Sequence, residues 1–282
     1  MAIARAQLMK ELLPGLNALF GMEYARYPEE WRSCFDVENS DRSFEEETKL
    51  SGFGAAPTKD EGAAISYDDA QEAYTSRYTH ETIALGFSLT EEAQEDNLYD
   101  SLSARYTKAL ARAFQHTKEV KGADLFNSGF TGQVGGDGVS LFNASHPLIN
   151  GAVNGNRPGS AVDLNETSLE QMLIDIAGLT DERGLKIAVR GMKLIIPKEL
   201  QFIAERVINS NLRSATADND ANAIKNMGML PEGAVVNHFL TDTDAFFIKT
   251  DAPNGFKHFN RSPIKTAMEA VSYTHLRAHE TS

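Results

Sequence analysis

The chain has 282 residues with 27 basic and 40 acidic side chains, giving a formal charge of −13. Apolar residues make up 41% and charged residues 24%, the balance of a foldable globular protein and not of a disordered or low-complexity one. Cys34 is the single cysteine, which excludes disulfide scaffolds and multi-cysteine zinc sites and fits a reducing compartment. Apolar runs such as Leu194 to Ile196 are far too short to cross a bilayer. Lys10 and Glu11 interrupt what would be the apolar core of a signal peptide. Sequence-specific DNA binding is disfavoured, because phosphate contacts need clustered Lys and Arg.

In chain order, residues 1–40 read as an arm. Leu8, Leu12, Leu13, Leu16 and Phe20 form one helical stripe, which Pro14 is expected to kink or restart. So few apolar residues predict a segment packed onto something else. Residues 41–89 read as a long β-hairpin. Ser43 to Phe53 and Tyr74 to Leu89 are strand-like, with Ile83, Leu85, Phe87 and Leu89 alternating, and the tip between them carries Pro57, Lys59, Asp60, Glu61 and Gly62. A lone two-stranded ribbon is marginal in water, so the hairpin is expected to lie on a neighbouring chain. Thr90 with Glu91 and Glu92 signals a helix start. The helical spacing of Leu98, Leu102, Tyr106, Leu110 and Phe114 predicts a helix over 91–126, roughly 50 Å long.

Glycines punctuate residues 127–164, with a short strand predicted near Val139 to Phe142. Thr167-Ser168-Leu169-Glu170 has the capping-box pattern and opens a helix with Leu169, Met172, Leu173, Ile176 and Leu179 on one face and Gly184 as its stop. Met192 to Ile196 reads as a buried strand, followed by a helix from Pro197. Residues 213–227 read as loop, and Val235 to Phe239 and Ala245 to Lys249 as short strands. The fold class is α+β, with no internal repeat.

No motif in the chain makes a convincing active site. Gly135-Gly136-Asp137-Gly138 resembles the glycine-acid turns of nucleotide cyclases, but glycine clusters mostly mark turns. His80-Glu81 lacks the second histidine of a zinc-protease helix, since position 84 is Ala. Asp218, Asp220 and Asn222 begin like a calcium loop, which then fails at Ala223 and Met229. His146 reads as a loop histidine, Cys34 as a packed structural thiol, and Glu45-Glu46-Glu47 as a solvated strand face. We therefore expect no enzyme activity and assign no catalytic, cofactor-binding or metal-ligating residue.

The order of elements resembles that of a tailed-bacteriophage major capsid protein of the Hong Kong 97-type fold. The stretches that carry the resemblance are Ser43 to Glu47, Leu50 to Gly54, Thr79 to Thr82, Gly136 to Gly138, His146-Pro147, Leu194 to Pro197 with Leu200, and Phe239 to Thr243. The likeness covers about residues 1–270. It implies an N-terminal arm (1–40), an extended loop (41–89), a spine helix with peripheral-domain region (90–184) and a mainly axial region (185–270). It also implies self-assembly into hexamers and pentamers, an icosahedral head around double-stranded DNA, and assembly in the bacterial host cytoplasm. Expected partners are other copies of the chain, a separate scaffolding protein, a portal and a head maturation protease. Some members cross-link a loop lysine to an asparagine; Lys59 sits at the tip, where a solvated lysine is the expectation. Residues 271–282 read as a non-native tail in place of further strands, which predicts unpaired edges and weaker assembly. Two rival readings remain: an encapsulin-like compartment shell, and a metal-dependent hydrolase using Asp137 and His146 with a second acid.

Overall fold

The computed structural model describes residues 5–88, 99–212 and 220–267. Two compact units result, one drawing its described residues from Met1–Pro28, Ile83–Gln115 and Ser262–Ser282, the other from Glu29–Thr82 and His116–Arg261. Helix and sheet are mixed, as the α+β reading predicts.

The first unit contains helix α1 (Arg5–Tyr24) and the start of α2 (Tyr99–Ser128). α1 runs on through Pro14 without a restart. Phe20 is buried edge-on against Phe114 of α2 and stacks on Tyr24, so this residue of the arm's apolar stripe is covered by its own chain. Thr90, Glu91, Glu92 and Leu98 lie outside the described residues. The described part of α2 spans about 45 Å. No helix among the described residues is long and apolar enough to cross a membrane.

The second unit is organised around a three-stranded sheet. Strand β6 (Gly191–Ile196) lies between β7 (Ala234–Val236), to which it is parallel, and β8 (Phe247–Thr250), to which it is antiparallel. Leu194 and Ile196 face one core, with Leu169 and Leu173 of α3 (Glu166–Ala177) and Ala204 and Ile208 of α4 (Gln201–Asn209). Ile195 faces a second core with Cys34, Phe126, Phe142 and Phe247. A central strand covered on both sides needs a continuous apolar run, which is why these three residues do not alternate with polar ones. Burial pushes the Cys34 thiol up, in keeping with a packing role.

Several local expectations are corrected. The N-cap of α3 is Asn165, not Thr167: its side chain accepts from Ser168 N (2.9 Å) and the Ser168 hydroxyl accepts from Asn165 N (3.0 Å). The helix stops at Ala177. Gly184, with φ +87°, instead turns the loop whose flanks Thr180 and Lys186 bridge. Within the expected loop, Asn222 caps a short helix α5 (Ala223–Met227), closed by Gly228 at φ +63°. Asn222 is buried and donates to Val207 O, so the failed calcium pattern contains a structural cap; Asp218 lies outside the described residues. Val139 to Phe142 forms only an isolated bridge, Val134 to Ser140, while β4 (His146–Pro147) pairs with β5 (Val153–Asn154).

Candidate assembly surface

Strand β2 (Phe44–Leu50) pairs antiparallel with β3 (Glu72–Thr79), from Phe44 opposite Thr79 to Leu50 opposite Glu72. Thr48 and Thr75 hydroxyls meet at 3.1 Å, Arg77 pairs with Glu46, and the Arg77 guanidinium lies 4.4 Å from the centre of the Phe44 ring. These are cross-strand pairs of the kind that stabilise a ribbon by a few tenths of a kcal/mol each, roughly 0.2–1. No residue of either strand is fully buried. β3 stops at Thr79 because β2 supplies no partner before Phe44, so the expected strand through Ile83, Leu85 and Phe87 does not form; Leu89 lies outside the described residues.

One side of the ribbon is fastened to its own chain. The buried Ser40 hydroxyl donates to Glu45 (2.6 Å) and lies 3.0 Å from His80 Nε2. Lys257 of β9 (Lys257–Asn260) pairs with Glu47 and with Glu38 of β1 (Asp36–Asn39), the strand parallel to β9. The acidic run is therefore no free solvated face: Glu45, Glu46 and Glu47 each hold a partner. Farther out, Lys49 pairs with the buried carboxylate of Glu182, which also accepts from Ile149 N (3.0 Å). Asp68 accepts from Gly54 N (2.7 Å) and from Arg183 (3.3 Å). The Gly54 amide first, and then Arg183, hold its carboxyl below the usual carboxylate range.

The glycine-rich loop supports the ribbon from below. A Cβ on Gly136 would sit 2.6 Å from Ser76 Oγ and 3.3 Å from Thr75 O and Tyr74 Cβ, so only glycine lets the loop approach β3 this closely. Tyr74 donates its hydroxyl to Pro147 O (2.7 Å). Asp137 Oδ2 meets His146 Nδ1 at 2.6 Å, and Asp137 Oδ1 accepts from Val139 N (3.3 Å). The pair stiffens the loop. It lacks the second acid that a metal site needs, since no group of three His, Cys, Asp or Glu among the described residues could hold an ion. The clefts lined by Phe126, Asn127 and Phe130 and by Leu164, Ile203 and Arg206 contain neither residue.

Gly136→Ala is expected to cost about 1–3 kcal/mol by overpacking. Limited proteolysis should cut the hairpin faster in this variant. Adding Ser76→Ala removes the hydroxyl that the new methyl meets and should recover much of the loss. Equal cleavage rates for wild type and Gly136→Ala would show that the loop does not support the ribbon.

The distal part exposes four large apolar side chains. Leu50 is 63% exposed, Phe53 61%, Ile65 68% and Tyr67 95%. Lys59 is exposed at the tip. Sequence inspection locates the hairpin but not its anchors Ser40, Glu182, Arg183 and Lys257. Their partners lie as far as 210 positions away, and a lone Lys or Glu carries no local signal.

A mixed α+β body carries a tethered ribbon whose distal part exposes large apolar side chains. A family model described as phage capsid protein matches residues 72–276, most of the chain, and the chain belongs to that family. No curated protein matches it. The fold is similar to that of the capsid of bacteriophage JBD30 decorated with minor capsid protein trimers, at TM-score 0.57 and 14% identity over 77% of this chain and 92% of that one. The JBD30 procapsid is similar at TM-score 0.55 and 15% identity, over 84% and 100%. A further JBD30 capsid structure gives 0.54 and 14%, over 75% and 89%. The protein is a structural phage capsid protein, and neither the compartment nor the hydrolase reading is favoured.

Proposed function

We propose that the chain is the major subunit of a Hong Kong 97-type phage head, closing as hexamers and pentamers into an icosahedral shell around double-stranded DNA. The hairpin serves as the extended loop, residues 1–40 as the arm, α2 as the spine, and 185–270 mainly as the axial region. Its role is non-enzymatic; its place is the virion, reached by assembly in the host cytoplasm with a scaffolding protein, portal and protease. The observation that carries this reading is the distal hairpin, held to its own body on one side while Leu50, Phe53, Ile65 and Tyr67 stay exposed. Apolar side chains gain about 1.5–3 kcal/mol each when fully buried, so a second copy is the natural cover.

Sedimentation velocity on the purified full chain, alone and with its scaffolding partner, tests this. Pentamers, hexamers or megadalton shells are expected. A stable monomer under both conditions would overturn the reading. Replacing Phe53, Ile65 and Tyr67 together by Ser should abolish assembly while leaving the monomer's melting temperature within about 2 °C of wild type, because exposed side chains contribute little to its folding.

A further inference from the structure

In the first unit Arg105, Lys108 and Arg112 stand on α2 and Arg26 on the arm, where Arg26 pairs with Glu23 (3.5 Å). Elsewhere several cations are answered by acids: Lys49 by Glu182, Arg77 by Glu46, Lys121 by Glu81, Lys193 by Glu232, Lys249 by Asp36 and Lys257 by Glu47. Arg105, Lys108 and Arg112 are exposed on α2 with no carboxylate partner among the described residues. At about 100° per residue they share a wedge of roughly 60°, while Ser103, Thr107 and Ala111 of the same turns are buried. Arg26 joins them, since its guanidinium and that of Arg112 each lie 5.8 Å from the centre of the Tyr27 ring, and Gln115 fixes that segment by donating to Tyr27 O (2.9 Å).

We propose that Arg105, Lys108 and Arg112, with Arg26 beside them, form a binding strip for the phosphate backbone of the enclosed double-stranded DNA. This inference rests on the capsid reading and deepens it by naming where shell and genome touch. Seven residues of helix span about 10 Å, close to three rises of about 3.4 Å along one DNA strand. Unpaired cations in an otherwise acidic protein suit a polyanion by charge. Their small number suits many weak, sequence-independent contacts repeated over a shell, and not tight binding by one subunit.

The test is fluorescence anisotropy of short duplexes of unrelated sequence, titrated with the full chain between about 50 and 200 mM salt. Arg105→Gln/Lys108→Gln/Arg112→Gln should flatten the slope of log affinity against log salt by about 2.7, at roughly 0.9 for each phosphate no longer neutralised. The charge-matched control Lys59→Gln/Lys186→Gln/Arg261→Gln should keep the wild-type slope, as should Arg105→Lys/Arg112→Lys. Equal slopes for wild type and the α2 triple variant would overturn the proposal. So would an unchanged slope with altered sedimentation, which would mean that the strip binds an acidic segment of another copy, such as the run from Glu91 to Asp96. Sedimentation of the wild type separates the two readings. Assembly with equal DNA slopes refutes the strip alone, whereas no assembly refutes the capsid reading.

Discussion

Phe126→Ala should lower the stability of the second unit by about 3–5 kcal/mol and its melting temperature by about 10 °C. Phe126 is 1% exposed, on α2, and its ring centre lies 5.9 Å from Phe35, 6.4 Å from Phe142, 5.0 Å from Phe247 and 5.4 Å from Phe256. Those four rings come from the arm's base, the glycine-rich region, β8 and the turn before β9. One truncation therefore removes transfer free energy, opens a cavity and loosens four segments that meet at this ring. Gly129 adds to the constraint, since a Cβ there would stand 2.6 Å from the Phe142 ring, so the cluster has little room to collapse into the gap. Phe126→Leu keeps most of the volume and should cost under about 1.5 kcal/mol. Calorimetry decides; an Ala variant melting within about 2 °C of wild type would mean that the cluster is not the centre of this core.

Glu119→Ala should cost about 2–5 kcal/mol, because two buried backbone N–H groups would lose their acceptor. Glu119 is 3% exposed, and its two carboxylate oxygens accept from Glu30 N and Trp31 N at 2.9 Å each. It thus caps the short turn Trp31–Ser33 from another element. Glu30 in turn accepts from His238 N (2.8 Å) and lies 2.7 Å from His238 Nδ1, joining α2, the arm's base and the loop after β7. One helical turn on, Gly122 leaves space for Trp31: a Cβ there would be 2.7 Å from Trp31 Cβ.

Burial raises the Glu119 carboxyl above its ordinary range, helped by the negative charges of Glu30 and Glu29 and opposed by the two N–H donors. The folded protein therefore holds this proton more tightly than the unfolded chain. The stabilisation from this group is complete below the usual glutamate value, about pH 4.3, and is lost as pH rises through the raised folded value. Above about pH 4.3, wild type should gain melting temperature on acidification relative to Glu119→Gln, in which that dependence is absent. The two curves running parallel across this range would show that Glu119 does not titrate there. Asp68 and Glu81, held low by Gly54 and Lys121 respectively, contribute in the opposite sense and at more acid pH, outside this window.

Much of the architecture is legible in the chain itself. Leu194-Ile195-Ile196 announces a buried strand, the long glycine-free segment before Gly122 announces α2, and Thr- and Tyr-rich runs flanking a polar Pro/Gly tip announce the ribbon, because residue preference and turn chemistry are local properties. Local signals also mislead where competition is close. Asn165 displaces Thr167 as cap because Ser168 can answer it reciprocally, and Asn222 nucleates α5 inside a polar stretch because its side chain is buried against Val207 O. Ile83, Leu85 and Phe87 alternate like a strand, yet no strand among the described residues reaches them to pair.

The composition by itself determined that this is an acidic α+β protein without a recognisable active site, and the order of its motifs pointed to a capsid subunit. Only the tertiary structure decided what those motifs do. It made Gly136 a neighbour of Ser76, Asp137 a brace for His146, Glu119 a cap for Trp31, and Arg26 a companion of Arg112. Periodicity reports which side chains share a face of one element. Which elements then meet depends on packing between residues far apart in the chain, and on the close backbone approaches that only a folded core imposes.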